Sequence, residues 1–219
     1  MKPKEFELIK KIENLKKTSI KKKINSRIRE FEDILRKRNY NKIMSELFFC
    51  ILTANFNAER SIKIQNTIGD DFLKLRDYEL ASRLKDCGHR FPNTRANFIC
   101  NARERKKEII EKIKSINENH GEHEEHEIRE WLVKNIKGIG YKEASHFLRN
   151  IGFKNLAIID FHIVDILERH KIIKRPKNLG KKNYLKIESV LKEIAGKTNL
   201  SLAELDLYLW FLETGKILK

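Results

Sequence analysis

The chain has 219 residues, 40% of them hydrophobic and 36% charged, which is typical of a globular protein and excludes a disordered one. Its 47 Lys and Arg residues outnumber 31 Asp and Glu residues, leaving a net charge of +16. Such a charge attracts polyanions, so nucleic acid is the first partner to consider, although a solvated basic surface has the same composition.

The sequence contains no signal peptide and no apolar run long enough to span a membrane, so we expect a cytoplasmic protein without membrane contact. The three cysteines are an odd number without the spacing of metal ligands. Cys50 and Cys100 lie in apolar runs typical of buried thiols, which favours a reducing compartment.

The pattern of apolar residues predicts an almost wholly helical fold, because no strand-like alternation persists and prolines occur at only three positions. We predict one or two charged helices over residues 4–38, an apolar helix through residues 43–52 and another helix over residues 58–68. Pro92 suits the first turn of a long helix over residues 92–117.

The inner face of the helix predicted over residues 92–117 carries four apolar residues: Phe98, Ile109, Ile110 and Ile113. Farther along the chain, Ser201 and Glu204 form a capping box that starts another helix. Gly215 is positioned to end that helix.

A glycine turn between two helical patterns is the most informative motif, Lys137-Gly138-Ile139-Gly140-Tyr141-Lys142. Apolar residues at i, i+3 and i+4 spacing precede and follow it, which predicts a helix-hairpin-helix motif at about residues 122–151. Gly138 and Gly140 allow the close backbone approach that a phosphate-binding turn needs, and the turn leads into a helix N-terminus. A DNA backbone is the expected ligand.

Lys142 and Asp160, eighteen residues apart, are the candidate catalytic pair. A neutral lysine amine can attack an electrophilic sugar carbon and form a Schiff base. Asp160 precedes an apolar helical pattern, so we expect its carboxylate to act as an N-cap anchored by backbone amides. Taken singly, Lys142 fits a surface lysine at a helix start better than a nucleophile, since such lysines are common, and a purely structural cap is the default interpretation of Asp160.

In order and spacing, the hairpin, the lysine and the downstream aspartate resemble the helix-hairpin-helix DNA glycosylases that carry a Gly/Pro-rich loop and an Asp. The loop before Asp160 departs from that pattern, because it reads Asn155-Leu156-Ala157-Ile158-Ile159 without proline or glycine. Within that superfamily the chain most resembles the archaeal-type, type-2 8-oxoguanine DNA glycosylase/AP lyases over nearly its whole length. Further motifs carry the likeness: Leu52-Thr53-Ala54-Asn55, Arg90-Phe91-Pro92, Asp160-Phe161-His162 and the segment from Trp210 to Lys219.

This resemblance implies an all-α fold in which residues 1–219 form one glycosylase unit. That unit has two helical subdomains, a helix-hairpin-helix motif and an active site in the cleft between the subdomains. Lys142 would attack C1′ of an 8-oxoguanine nucleotide while Asp160 stabilises positive charge on the sugar and orients or deprotonates the amine. The covalent imine would then undergo β-elimination and nick the strand.

The resemblance also implies roles in recognition. Lys219, the last residue of the sequence, would help distinguish 8-oxoguanine from guanine, and Trp210 would offer a flat face to the extruded base. Phe91 and Phe98 are candidates for the opposite face. Four residues would contact DNA: Asn55 in the gap left by the flipped nucleotide, Gly138 and Gly140 in the hairpin, and His162 near a phosphate.

No metal site is predicted, because the three-residue spacing of His120, His123 and His126 drifts around a helix and no cysteine joins them. No iron–sulfur cluster is expected, since no cysteine follows Cys100. The resemblance permits a monovalent cation at the hairpin. The implied partner is double-stranded DNA with a flipped damaged base, bound by a nucleoid-associated monomer.

Two alternative functions remain open from the sequence. A non-catalytic helix-hairpin-helix protein would use the same glycines and positive charge to bind duplex backbone. A glycosylase for another lesion or for a mispaired base would carry the same hairpin, because the hairpin does not determine which base is removed.

Overall fold

A computed structural model describes residues 3–116 and 121–219. Every regular element in these two ranges is a helix, twelve α-helices and one short 3-10 helix, so the predicted all-α class is confirmed. Within the same ranges, no helix is both long and apolar enough to cross a membrane. His120, one of the three spaced histidines, lies outside the described residues.

The chain forms two compact units, and the first combines Met1–Asp33 with Gly152–Lys219. One or two helices were predicted from the charged segment over residues 4–38, and the structure has two. The first unit contains these helices: α1 (Pro3–Lys16), most of α2 (Ser19–Arg36), α10 (Phe161–Arg169), α11 (Lys181–Thr198) and α12 (Leu202–Thr214).

The second unit is Ile34–Ile151. It contains α3 (Tyr40–Thr53), α4 (Ala58–Ile68), the 3-10 helix (Gly69–Leu73), α5 (Asp77–Asp86), α6 (Pro92–Glu104), α7 (Lys106–Lys114), α8 (Glu122–Asn135) and α9 (Tyr141–Asn150). The apolar helix predicted through residues 43–52 is α3, and the helix predicted over residues 58–68 is α4, so both predictions are confirmed.

Helix α3 is the core of the second unit. It is apolar on nearly all sides and packs against α4, α6 and α9, which is the expected place for a helix without a polar face. The buried Glu46 carboxylate on α3 accepts a hydrogen bond from the Asn150 side-chain amide at 3.1 Å. Cys50, also on α3, is buried as predicted, and so is Cys100 on α6.

In the first unit, α12 begins with the predicted capping box. The Ser201 hydroxyl accepts from the Glu204 backbone N–H at 3.2 Å, and the Glu204 carboxylate accepts from the Ser201 N–H at 2.8 Å. Gly215 ends the helix with φ of +69°, a left-handed conformation that favours glycine. Both ends of α12 therefore confirm the sequence prediction.

The prediction of a single long helix over residues 92–117 is wrong, although the predicted start at Pro92 is confirmed. The chain turns at Arg105, so that α6 ends at Glu104 and α7 begins at Lys106. The Arg105 guanidinium donates to the Asn135 carbonyl oxygen at 2.5 Å and to the Glu108 carboxylate at 2.6 Å. The bond to Asn135 is a tertiary contact that accompanies the break, and residue 117 lies outside the described residues.

The predicted inner face of that helix changes with the break. Ile109 and Ile113 are buried on α7, whereas Ile110 is only half-buried. Phe98 is also half-buried and lies on the other helix, α6. The four residues thus do not form one continuous stripe.

Candidate active site

The glycine hairpin joins α8 to α9 in the second unit. Gly138 adopts φ of +80°, which L-residues with a Cβ rarely adopt. A Cβ at this position would lie 2.3 Å from a carbon of the Phe98 ring, well inside contact distance. Residue 138 therefore needs glycine both for its backbone conformation and for the close approach of Phe98.

The two hairpin helices are tied together by polar side chains. The Tyr141 hydroxyl donates to the Glu130 carboxylate at 2.5 Å, joining the first residue of α9 to α8. The Arg129 guanidinium, fully buried, donates to the Ser145 hydroxyl at 3.3 Å and lies over the Tyr141 ring. These contacts fix the residue that immediately precedes Lys142.

Lys142 is the second residue of α9, and its side chain is 25% exposed. Its Nζ lies 3.9 Å from a carboxylate oxygen of Glu143. Glu143 also accepts a hydrogen bond from the Gly140 backbone N–H at 3.2 Å. One carboxylate therefore caps the hairpin helix and lies beside the candidate nucleophile.

Asn55 lies in the turn that follows α3. It is exposed and has φ of +56°, in the left-handed region that asparagine tolerates better than most residues. The turn is closed by a hydrogen bond from the Phe56 N–H to the Thr53 carbonyl oxygen at 3.0 Å. The side chain of Asn55 is thus presented at a sharply bent piece of backbone.

His89 links this turn to the start of α6. Its Nδ1 accepts from the Phe91 N–H at 3.1 Å, so Nε2 carries the proton and donates to the Leu52 carbonyl oxygen, also at 3.1 Å. The imidazole also stacks on the Phe56 ring, with centroids 4.2 Å apart. His89 was not predicted from the sequence, because a single histidine leaves no periodic signal.

Phe91 is the N-cap of α6 and Phe98 lies on the helix, with Arg95 between them. The Arg95 guanidinium carbon is 5.8 Å from the Phe91 ring centroid and 5.7 Å from that of Phe98. Phe91 is exposed, whereas Phe98 packs against Gly138. Arg95 was missed by the sequence analysis, although the i, i+4, i+7 spacing of the three residues is a signal that they share one helix face.

Asp160 is in the first unit and caps α10, as predicted. One of its carboxylate oxygens accepts from the Ile163 N–H at 3.0 Å. The residue is half-buried.

The segment before Asp160 is buried and has no regular secondary structure, and side chains of α11 hold it in place. The Tyr184 hydroxyl donates to the Ala157 carbonyl oxygen at 2.7 Å and accepts from the Ile159 N–H at 3.2 Å. The Glu188 carboxylate accepts from the Ala157 N–H at 2.9 Å. These side chains give the segment a defined course without proline or glycine, and the sequence analysis did not identify either of them.

His162 and Trp210 are brought together in the first unit. Their rings meet edge to face, with centroids 5.1 Å apart and an interplanar angle of 89°. The Trp210 Nε1–H is buried and has no hydrogen-bond partner among the residues that the structure describes. Lys219 is half-buried in the tail that follows α12.

The two spaced histidines that the structure describes interact with neighbours on α8. His126 Nε2 is 3.4 Å from the Glu122 carboxylate, and His123 Nδ1 is 3.9 Å from that of Glu127. Within residues 3–116 and 121–219, no group of three or more His, Cys, Asp or Glu side chains is arranged to hold a metal ion.

The fold and the glycine hairpin define the class as a helix-hairpin-helix protein. A family model described as "8-oxoguanine DNA glycosylase" (Ogg-HhH) matches residues 24–200. The chain is 48% identical to the 8-oxoguanine DNA glycosylase/AP lyase of Korarchaeum cryptofilum, with 97% of this chain and 98% of that protein covered.

Solved structures agree with the sequence match. The Methanocaldococcus jannaschii 8-oxoguanine glycosylase/lyase, crystallised with a 15mer DNA containing 8-oxoguanine, is 50% identical and superposes with a TM-score of 0.88 over 97% of this chain and 99% of that one. The 8-oxoguanine DNA glycosylase of Thermotoga maritima is 39% identical, with a TM-score of 0.89 over 98% and 100%. The chain belongs to the 8-oxoguanine DNA glycosylase family, which confirms the resemblance drawn from its motifs.

We predict that Gly138→Ala lowers the free energy of unfolding by about 2–4 kcal/mol, because it combines a strained φ with a clash against Phe98. Gly140→Ala is the matched control, since Gly140 has φ of −99° and a Cβ there would meet only the flexible Glu143 carboxylate, at 3.1 Å. Its cost should be about 1 kcal/mol or less. Urea unfolding measures both, and equal costs would contradict the close approach of Phe98.

Proposed function

We infer that the protein is a bifunctional DNA repair enzyme that removes 8-oxoguanine from DNA and then cleaves the strand as an AP lyase. The observation that carries this conclusion is the agreement, over 97% of the chain, with a relative crystallised on DNA containing 8-oxoguanine. Curated relatives of similar length are named as both glycosylase and AP lyase, which supports a single chain with two activities.

The first chemical step that we propose is attack of the neutral Lys142 amine on C1′ of the damaged nucleotide. The glycosidic bond between the base nitrogen and C1′ breaks. The base leaves with the electron pair of that bond, so positive charge develops on the sugar. Asp160 stabilises that charge and orients or deprotonates the amine. Its anchorage as a helix cap supports this role, because a carboxylate held by a backbone N–H is already positioned before the substrate binds.

The second step follows from the first. Opening of the sugar ring converts the lysine adduct into an imine between Nζ and C1′. Loss of a proton from C2′ then breaks the C3′–O bond by β-elimination, which nicks the strand 3′ to the lesion. Hydrolysis of the imine returns the free Lys142 amine, so one nucleophile serves both activities.

We propose that Trp210, Lys219 and Phe91 recognise the base. Trp210 is half-buried and has an aromatic face, which is suited to stacking on an extruded base. Lys219 would distinguish 8-oxoguanine from guanine. Phe91 is exposed and therefore the better of the two phenylalanine candidates for stacking, since Phe98 is engaged with Gly138.

We propose that the enzyme acts as a monomer, at the nucleoid, on double-stranded DNA with the damaged base flipped out. The hairpin within residues 122–151 would bind the backbone through Gly138 and Gly140, His162 would lie near a phosphate, and Asn55 would enter the gap in the duplex. No cofactor is required. The turn over residues 136–140 contains no His, Cys, Asp or Glu, so its backbone carbonyl oxygens fit a monovalent cation rather than a transition metal.

Borohydride reduction of the imine tests the nucleophile. We expect the wild type to be trapped on DNA containing 8-oxoguanine, and Lys142→Gln to give no covalent complex while still binding duplex, because only the amine is lost. Lys134→Gln, an exposed lysine on α8, is the matched control and should be trapped as the wild type is. Wild-type yield from Lys142→Gln would disprove the assignment.

A second prediction separates chemistry from capping at Asp160. Asparagine is also a good N-cap, so Asp160→Asn should melt within about 2 °C of the wild type yet excise 8-oxoguanine about 10²- to 10⁴-fold more slowly. Single-turnover rates and thermal melts provide the measurement. If the slow variant is instead strongly unfolded, Asp160 has only a structural role.

Deleting Lys219 tests base discrimination. The ratio of excision rates for 8-oxoguanine and guanine should fall by about tenfold, since a buried or half-buried polar contact contributes on the order of 1–3 kcal/mol. Trapping on an abasic substrate should be unchanged, because no base remains to be recognised. Lys216→Ala, in the same tail, is the control. An equal loss of activity on the 8-oxoguanine and abasic substrates would show that the tail has only a structural role.

A further inference from the structure

Helix α12 leads into a short tail, residues 215–219, that has no regular secondary structure and carries Lys219. Gly215 and Lys216 are exposed, whereas the last three residues are half-buried again. The tail therefore leaves the helix into solvent and then returns to the protein surface. Whatever fixes the start of this tail also determines where Lys219 lies.

Two hydrogen bonds of the tail backbone fix its start to the last turn of α12. The Gly215 N–H donates to the Phe211 carbonyl oxygen at 2.8 Å. The Thr214 hydroxyl accepts from the Lys216 N–H at 3.2 Å and donates to the Trp210 carbonyl oxygen at 2.8 Å. The first two peptide groups of the tail thus follow the position of the last helical turn.

An ion pair holds that last turn against α10. The two terminal guanidinium nitrogens of Arg169, the last residue of α10, donate to the two carboxylate oxygens of Glu213 at 3.1 Å and 3.0 Å. This bidentate arrangement fixes the relative orientation of the two groups as well as their distance. The Arg169 side chain is 60% exposed, so we expect the pair to contribute little to stability.

The same two helices also meet where the His162 and Trp210 rings contact each other edge to face. His162 and Arg169 are seven residues apart and share one face of α10, while Trp210 and Glu213 are three apart and share one face of α12. Two contacts between the same faces define the angle between the helices, which one contact alone would not. Of the two, the ion pair lies at the end of α12 from which the tail departs.

We propose that Arg169 and Glu213 are positioning residues whose ion pair sets the departure of the tail from α12 and so places Lys219 to distinguish 8-oxoguanine from guanine. This rests on the proposed function, in which Lys219 makes that distinction. The pair acts through the tail and not through contact with the base. Asp160 is held by the Ile163 N–H of its own helix, so the chemistry at the sugar does not depend on the pair.

The test exchanges the two charges. Single-turnover excision of 8-oxoguanine and of guanine is measured for Arg169→Glu, for Glu213→Arg and for the variant that carries both changes. Each single reversal brings like charges together and should lower the ratio of the two rates by about three- to fivefold, which is the scale of one exposed ion pair. The double variant restores a pair of opposite sense and should return the ratio to within about twofold of the wild type.

Two further measurements separate positioning from general stability. In a protein that lacks Lys219, Arg169→Glu should change the ratio by less than about twofold, because the group that the pair positions is gone. Borohydride trapping on an abasic substrate should be unchanged in the Arg169 and Glu213 variants, since no base remains to be recognised.

Arg175→Glu provides the matched control. Arg175 forms ion pairs with Glu168, at 2.8 Å, and with Asp165, and both partners lie on α10. The substitution makes the same change of charge at an exposed residue, so it should leave the ratio unchanged even if it lowers the melting temperature. Arg169→Gln, which removes the charge without introducing repulsion, serves if Arg169→Glu fails to fold.

Four outcomes would overturn the proposal: an unchanged ratio in both single reversals, an equal fall in Arg175→Glu, no recovery in the double variant, or an effect of Arg169→Glu that persists without Lys219. Failure of the proposed function looks different, because the wild-type enzyme would then not excise 8-oxoguanine, or deletion of Lys219 alone would leave the ratio unchanged.

Discussion

The ring of Phe98 occupies the space that a side chain on residue 138 would need, and the candidate site of the second unit is arranged around this contact. Because the hairpin backbone lies against the ring, the entrance to α9 is set by α6 rather than by the turn alone. The same helix carries Arg95, which reaches the turn after α3, and it begins next to Phe91. A change in the position of α6 would therefore move the hairpin and the Asn55 turn together.

Local signals in the sequence predicted the fold well wherever neighbouring residues determine the structure. The apolar run of α3, the limits of α4, Pro92 at a helix start and the capping box at Ser201 were all readable because each depends on residues within a few positions. The break at Arg105 was not, because the bond that accompanies it reaches Asn135, thirty residues away. The helices α5 and α11 were not predicted, although Tyr184, Ile187, Leu191 and Ile194 in α11 follow a helical period.

For the site, the sequence predicted the residues that carry recognisable chemistry, and the structure adds those that support them. The glycine hairpin, Lys142 at the start of α9 and Asp160 as a cap followed from motif and spacing. Tyr184 and Glu188, which hold the segment before Asp160, had no such signal, because a side chain bonded to a distant backbone leaves no periodic pattern. Such supporting residues are determined by tertiary packing, which a single sequence does not display.

The two hydrogen bonds of His89 make this part of the structure sensitive to pH. Its Nδ1 must accept from the Phe91 N–H, so only the neutral imidazole maintains both of its hydrogen bonds. Burial lowers the pKa of His89 in the folded protein. The folded state thus binds fewer protons than the unfolded chain, and the stabilisation is complete above a pH of about 6.5 and is lost as the pH falls towards the folded value. Protonation of Nδ1 would break the hydrogen bond from the Phe91 N–H and leave the bond to Leu52, so acid would weaken the connection that His89 makes between the start of α6 and the end of α3.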